Sequence, residues 1–366
     1  MHYWRKKEKS VYRKILIINP FGIGDVLFTT PIIHTLKDKF KDVKIGYLCN
    51  RRTADLLEGN PYINYVFVYE RDEFEAIRKK SFFAWLKNIL GFLNQIKKEH
   101  FDLALDFSLN TQYGFFSWLA GIKERIGYNF KNRGGFLTQK VPLIGYSDRH
   151  IVEYYAALLK YLGIDLKYRK LELYLKAEDL KRTEELLAKE GLRQSDLLVG
   201  IIPGAGRSWG RDAYLKHWPA ENFARLADKI IENYQAKIII MGDYFEKEIA
   251  KNIIGGMRHE AVDFSGMMTI GGLAALLSKV NLVITNDGGP MHMAVALGIK
   301  TVSVFGPVDE RVYGPYPPSD KHIVIKKDIS CRPCYQNFKM PICAQDRECI
   351  KSIDVDTVLK AIRRLW

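Results

Sequence analysis

Short runs of β-branched and aliphatic residues alternate with helical stretches along the whole chain, the pattern of parallel sheets covered by helices on both faces. In the first half the pattern predicts strands over Lys14 to Asn19, Val43 to Cys49, Tyr65 to Tyr69 and Phe101 to Phe107. The second half repeats it with Leu198 to Ile202, Lys237 to Met241, Val262 to Phe264, Leu282 to Thr285 and Thr301 to Phe305. Helices are expected to begin near Pro219, Phe245, Ile270 and Pro290. Between the halves, Leu166 to Asp196 is rich in charge and holds one helical segment, Glu178 to Lys189. A boundary near Tyr168 to Leu175 follows, giving domains 1–170 and 171–366. With 366 residues and 47% hydrophobic content, two α/β domains can each bury a core. Val355, Val358, Leu359, Ile362 and Leu365 recur at helical spacing, so residues 354–366 read as a terminal amphipathic helix.

No apolar run reaches the roughly 18 to 20 residues that a spanning helix requires, and Met1 to Ser10 lacks an apolar signal core. The expectation is a non-secreted, soluble protein. Its net charge of +14 is unevenly placed: residues 1–170 hold 29 Lys/Arg against 17 Asp/Glu, and the rest hold 27 against 25. The basic half therefore expects an anionic partner. It carries no nucleic-acid motif, which favours a membrane surface or a phosphorylated lipid over nucleic acid.

Three strand exits are rich in glycine. The first, Asn19-Pro-Phe-Gly-Ile-Gly-Asp25, has Gly22 and Gly24 but Leu27 where a dinucleotide fingerprint needs its third glycine. Asp25 lies beyond a strand end, as a helix N-cap or as a general base. The second, Asp287-Gly-Gly-Pro-Met-His292, exposes backbone N–H groups at a helix start and suits phosphate; His292 in the first turn could reach the same anion. The third, Pro203-Gly-Ala-Gly-Arg-Ser208, is followed by Lys216-His-Trp-Pro219 and offers flexible donors and a point charge to a diphosphate.

Taken together, Gly24-Asp-Val-Leu-Phe-Thr-Thr-Pro31, Lys216-His-Trp-Pro-Ala-Glu-Asn-Phe223 and Asp287 to His292, running on to Phe305-Gly-Pro307, resemble the ADP-heptose:lipopolysaccharide heptosyltransferases, glycosyltransferase family 9. The resemblance implies two Rossmann-like, doubly wound domains facing a cleft, the GT-B architecture. It implies an inverting transfer of heptose from ADP-heptose to the lipid A-Kdo inner core of lipopolysaccharide, with no cofactor needed for catalysis. Asp25 would be the base and Lys216 would hold the phosphates. Asp287, Gly288, Gly289 and His292 would form the nucleotide pocket, beside Gly206, Arg207 and Ser208. Glu246 would contact the ribose and Met268 would line the base site. The family usually has Ser or Thr at the position of Gly288 and a hydroxyl pair near Gly206 to Ser208, so backbone donors carry more of the contact here. The implied place of action is cytoplasmic, peripheral at the inner face of the inner membrane. Alternatives are the same fold acting on another nucleotide sugar or acceptor, and a dinucleotide-dependent redox protein.

Two further features stand apart from these turns. Arg78 to His100 places Phe82, Leu86, Ile89, Leu93 and Ile96 on one helical face, broadened by Phe83, Trp85 and Phe92. That face suits either a core helix over the first sheet or a surface helix meeting anionic lipid, with Arg5, Lys6, Lys7, Lys9, Arg13 and Lys14 extending the basic region. Cys331, Cys334, Cys343 and Cys349 have C-x2-C-x8-C-x5-C spacing, which fits a structural zinc site, two disulfides or free thiols. Cys49, inside a strand, reads as packing.

Overall fold

The computed structural model describes residues 12–366, apart from the side chains of residues 207, 208 and 211. Its strands are β1 (Lys14–Ile18), β2 (Lys44–Cys49), β3 (Tyr65–Val68), β4 (Leu103–Asp106), β5 (Glu124–Phe130), β6 (Gln139–Leu143), β7 (Leu198–Ile202), β8 (Lys237–Ile240), β9 (Val262–Asp263), β10 (Leu282–Asn286), β11 (Lys300–Phe305) and β12 (His322–Lys326). Among the described residues they form two six-stranded sheets, ordered β3-β2-β1-β4-β5-β6 and β12-β11-β10-β7-β8-β9. Every pairing is parallel. Numbered within its own sheet, each follows the Rossmann order 3-2-1-4-5-6. The fold class is α/β, as the alternation implies.

Central strands are buried on both faces, which is why they read as unbroken apolar runs: Ile15–Ile18 and all of β10 are buried. The sequence pattern does not reveal β5, β6 or β12. Each lies toward a sheet edge, where strands mix polar and apolar residues, and β6 even carries Pro142, tolerated at an edge.

The chain divides into two compact units. One takes in Ile32–Ile144, Tyr155–Tyr168 and the β1 segment before Gly22; the other takes in Gly22–Pro31, Gly145–Tyr154 and Arg169–Trp366. The turn bearing Asp25, expected within residues 1–170, thus clusters with the second sheet. In the first unit, Ile89, Phe92, Leu93 and Ile96 pack with Leu16, Ile18 and Ala104, so the C-terminal half of the Phe82–Lys98 helix is core. Its N-terminal end differs: Phe82 is 58% exposed and Phe83 82%. In the second unit, Trp218, Phe223, Ile284 and Val304 share a core with the terminal helix Val355–Leu365. That helix buries the five apolar residues expected and is capped by Asp354, whose side chain accepts from Thr357 N at 2.7 Å.

Two glycines bring a pair of helices in the second unit unusually close. A Cβ on Gly24 would lie 2.8 Å from His292 Cδ2, and one on Gly289 would lie 2.7 Å from Ile23 Cβ. The helices Ile23–Phe28 and Gly289–Ala296 can meet only because both positions lack a side chain. Gly289→Ala should therefore lower stability by about 1–3 kcal/mol through overpacking. Gly91, exposed within its helix with nothing near its missing Cβ, is the opposite case: Gly91→Ala should stabilise by about 0.5–1 kcal/mol. Urea unfolding of both variants against the wild type measures the contrast.

Candidate active site

In an open α/β sheet the ligand crevice opens where strand order reverses, beyond the carboxyl ends. In the second sheet that point lies between β7 and β10. The turns leaving these strands touch: a Cβ on Gly288 would sit 3.1 Å from Ala205 O. The absence of a side chain at Gly288 thus lets the Asp287-Gly-Gly turn lie against the Pro203–Gly206 exit. Gly206 itself has φ 75°, the left-handed region that favours glycine. Asn286, fully buried, ties the turns together. Its Nδ2 donates to Pro203 O at 2.5 Å, and its Oδ1 accepts from Trp218 N at 3.1 Å.

That bond to Trp218 fixes the segment that carries Lys216. The Lys216 ammonium lies 2.8 Å from Asp287 Oδ2 with both residues 5% exposed, and 4.7 Å over the Trp209 ring. Each charge is desolvated and compensated by its partner, so removing either would strand the other. The sequence places Lys216 near a ligand but does not reveal that Asp287 is its counter-ion.

Asp25 lies in the first turn of the Ile23–Phe28 helix, while the N-cap position belongs to Gly22. The capping alternative is therefore overturned. Its charge reaches two half-buried tyrosines after β11 and in the cysteine-rich loop. Burial, with Asp25 and Asp287 adding to it, pushes the Tyr335 phenol up to about 12; burial, Tyr335, Asp25 and Asp287 raise Tyr313 as well. His292 lies where the two helices meet. Its ring packs edge-on against Phe28 at 4.6 Å and against the missing side chain of Gly24, and burial lowers its pKa well below the ordinary value. Its ring thus fills the space between the two helices, and burial disfavours its charged form.

Glu246 is set between two other exits. A Cβ on Gly204 would fall 1.5 Å from its Oε1 and one on Gly242 2.6 Å from its Oε2, so two glycines clear the space for one carboxyl. Oε2 accepts from Asp243 N at 2.9 Å, completing a capping box with the Asp243 side chain. Met268, half-buried, precedes Thr269, which caps the next helix. The side chains of Arg207 and Ser208 lie outside the described ones, as do Arg5, Lys6, Lys7 and Lys9.

The four clustered cysteines line one pocket, and all five cysteines are free thiols, so the disulfide alternative is not realised. Among the described residues no group of three or more His, Cys, Asp or Glu side chains is arranged to hold a metal ion, which leaves the zinc alternative without support. Cys49 is buried in β2, as packing requires.

The profile of glycosyltransferase family 9 (heptosyltransferase) matches residues 89–341, more than half of the chain. The chain belongs to glycosyltransferase family 9. It is a glycosyltransferase of the heptosyltransferase type. Over 357 residues it is 24% identical to lipooligosaccharide heptosyltransferase 2 of Campylobacter jejuni, covering 96% of this chain and 98% of that protein. A family 9 glycosyl transferase from Veillonella parvula superposes with TM-score 0.83 at 24% identity, over 96% of this chain and 97% of that one. The ADP-heptose lps heptosyltransferase II of Escherichia coli gives 0.75 at 21% identity, over 96% and 98%. The family 9 fold is thus that of these GT-B enzymes, with two Rossmann-like sheets. Within it, Trp209, Asn286, Tyr313 and Tyr335 border the site without being legible from local sequence; only their nearness to strand exits hinted at them.

Glu246 gives the site a pH signature. Burial raises its carboxyl to about 7 from the usual 4.5, against the opposing hydrogen bonds from the Asp243 and Gly206 backbone. Between those values the folded chain holds more protons than the unfolded one, so stability falls as pH rises and the penalty is fully present above 7. Glu246→Gln keeps the capping acceptor and removes the charge. It should stabilise the protein at pH 8 by at most about 3 kcal/mol and leave stability at pH 4 nearly unchanged, read by thermal unfolding across that range.

Proposed function

We propose that this family 9 enzyme transfers heptose from ADP-heptose to the inner core of lipopolysaccharide with inversion at the anomeric carbon. The observation that carries this reading is the contact of the Asp25 helix with the Gly289 helix, which sets a carboxylate beside a phosphate-competent turn in one compact unit. Asp25 removes the proton from an acceptor hydroxyl as that oxygen attacks the sugar, and a nucleoside diphosphate leaves. The Asp287-Gly288-Gly289 turn offers backbone N–H groups to the diphosphate, and Lys216 shares its charge between Asp287 and the departing phosphates. Glu246 accepts from the ribose hydroxyls, and Met268 lies against the base. No step passes through a metal or an organic cofactor.

The acceptor and its membrane are assigned to the basic first unit. Phe82 and Phe83 stand exposed beside exposed Arg78, Lys79, Lys80 and Lys87, an apolar tip within a cationic collar that suits an anionic lipid surface. No helix among the described residues is long and apolar enough to cross a membrane.

Thermal stabilisation across ADP-, UDP- and GDP-sugars and NAD tests the donor; the expected result is selective stabilisation by ADP-heptose, and stabilisation by NAD alone would favour the redox alternative. Asp25→Ala should abolish transfer while retaining that stabilisation, and full activity in the variant would remove Asp25 from the mechanism. Wild-type protein should sediment with anionic vesicles at low salt, and Phe82→Ser with Phe83→Ser should weaken this by about tenfold.

A further inference from the structure

Four cysteines that the proposed reaction does not use stand directly behind it. Cys331, Cys334 and Cys343 lie in the loop after β12, and Cys349 follows in the short helix Glu348–Lys351. Their thiols line a pocket that also contains Leu215 and Pro307. Two lining residues are chain neighbours of site groups: Leu215 precedes Lys216, and Cys334 precedes Tyr335. The loop is fastened at both ends. Arg332, its side chain 5% exposed, donates to Gly306 O at 2.7 Å, Val308 O at 2.9 Å and Glu310 at 2.8 Å. Cys334 N and Tyr335 N both donate to Pro307 O, at 2.9 and 3.1 Å. Arg347 N donates to Cys343 Sγ at 3.2 Å, while its guanidinium donates to Tyr214 O at 2.9 Å, in the segment that carries Trp209 and Lys216.

What this pocket supports is an aromatic wall. The Tyr335 ring lies 4.7 Å from Trp209 and 5.8 Å from Tyr313. Sheet order then gives the wall its place. β8 and β9, whose exits carry Glu246 and Met268, lie on one side of the β7–β10 switch point; β11 and β12, whose exits carry Tyr313 and Tyr335, lie on the other. A nucleotide sugar with its ribose at Glu246 and its diphosphate at the Asp287 turn extends its sugar toward the tyrosines. Asp25 acts electrostatically on both phenols, so the same end holds the proposed base.

We propose that Tyr335, with Trp209 and Tyr313, binds the sugar of the donor beside Asp25, and that the four-cysteine pocket positions Tyr335 for this. The inference rests on the donor reading above. Aromatic faces cover the C–H surface of a sugar ring, while phenolic hydroxyls meet its hydroxyls.

Calorimetric titration of ADP and of ADP-heptose into wild type, Tyr335→Ala, Tyr335→Phe and Cys334→Ala tests it. Tyr335→Ala should weaken ADP-heptose about tenfold and ADP by less than about twofold, with a matching fall in transfer rate. Tyr335→Phe, which keeps the stack, should stay within about threefold of wild type. Cys334→Ala should reproduce the selective loss, and combining it with Tyr335→Ala should add little, the signature of a residue acting through another. Thermal unfolding of each variant controls for folding. Equal losses for ADP and ADP-heptose in Tyr335→Ala, or none, overturn the sugar assignment. Additive losses in the double variant overturn the positioning role of the pocket. Wild-type protein that binds no ADP-sugar defeats the donor reading itself, a result distinct from either.

Discussion

The buried pair of Lys216 and Asp287 is the constraint around which the second unit is arranged. Two opposite charges held 2.8 Å apart at 5% exposure are tolerable only if both are fixed, because desolvation costs each several kcal/mol when its partner strays. Asp287 is fixed by following β10 directly, with its N–H donating to Val304 O at 3.2 Å. Lys216 is fixed from the other side, since Asn286 holds Trp218 and Trp218 Nε1 donates to Ile353 O at 2.9 Å. One asparagine at a strand end therefore sets both members of the pair. For the proposed transfer this has a direct use: the cation is already in place and needs no reorganisation when a diphosphate arrives.

The same arrangement explains what the sequence could and could not show. Strand-exit turns are local objects, so Asp25, Lys216 and the Asp287 turn were legible as short motifs. Burial is not local. The sequence places His292 in a helix's first turn, and tertiary packing seats its ring between Phe28 and Gly24, where burial lowers its pKa. Asp25 likewise read as a possible cap, and only the backbone shows that the cap is Gly22. Tyr313 and Tyr335 come from segments far along the chain from Asp25, and neither segment carries a periodic or motif signal. The edge strands β6 and β12 are hidden in the sequence for a related reason: edge strands need not be apolar on both faces, and Pro142 reads as a breaker until its edge position is known.

The Phe82–Lys98 helix shows how two readings of one sequence can each be half right. Its stripe is continuous in sequence, and the C-terminal part packs under the first sheet as a core stripe should. The first turn overshoots that sheet, so Phe82 and Phe83 meet solvent next to basic residues. Periodicity reports which residues share a face. It does not report where along the helix the covering element ends.

At several glycines the structure departs furthest from local expectation. A run such as Gly204-Ala-Gly206 suggests flexibility, and at Gly206 the left-handed backbone does call for glycine. At Gly24, Gly204, Gly242 and Gly289 the backbone makes no such demand, and what each glycine provides is room: for His292, for the carboxyl of Glu246 from two sides, and for Ile23. These positions hold the two helix starts and the strand exits at distances that no side chain would permit. The site's geometry is thus written partly in side chains that are missing, and an alanine at any of these positions would remove no functional group yet would part the elements on which the proposed base and donor turn are carried.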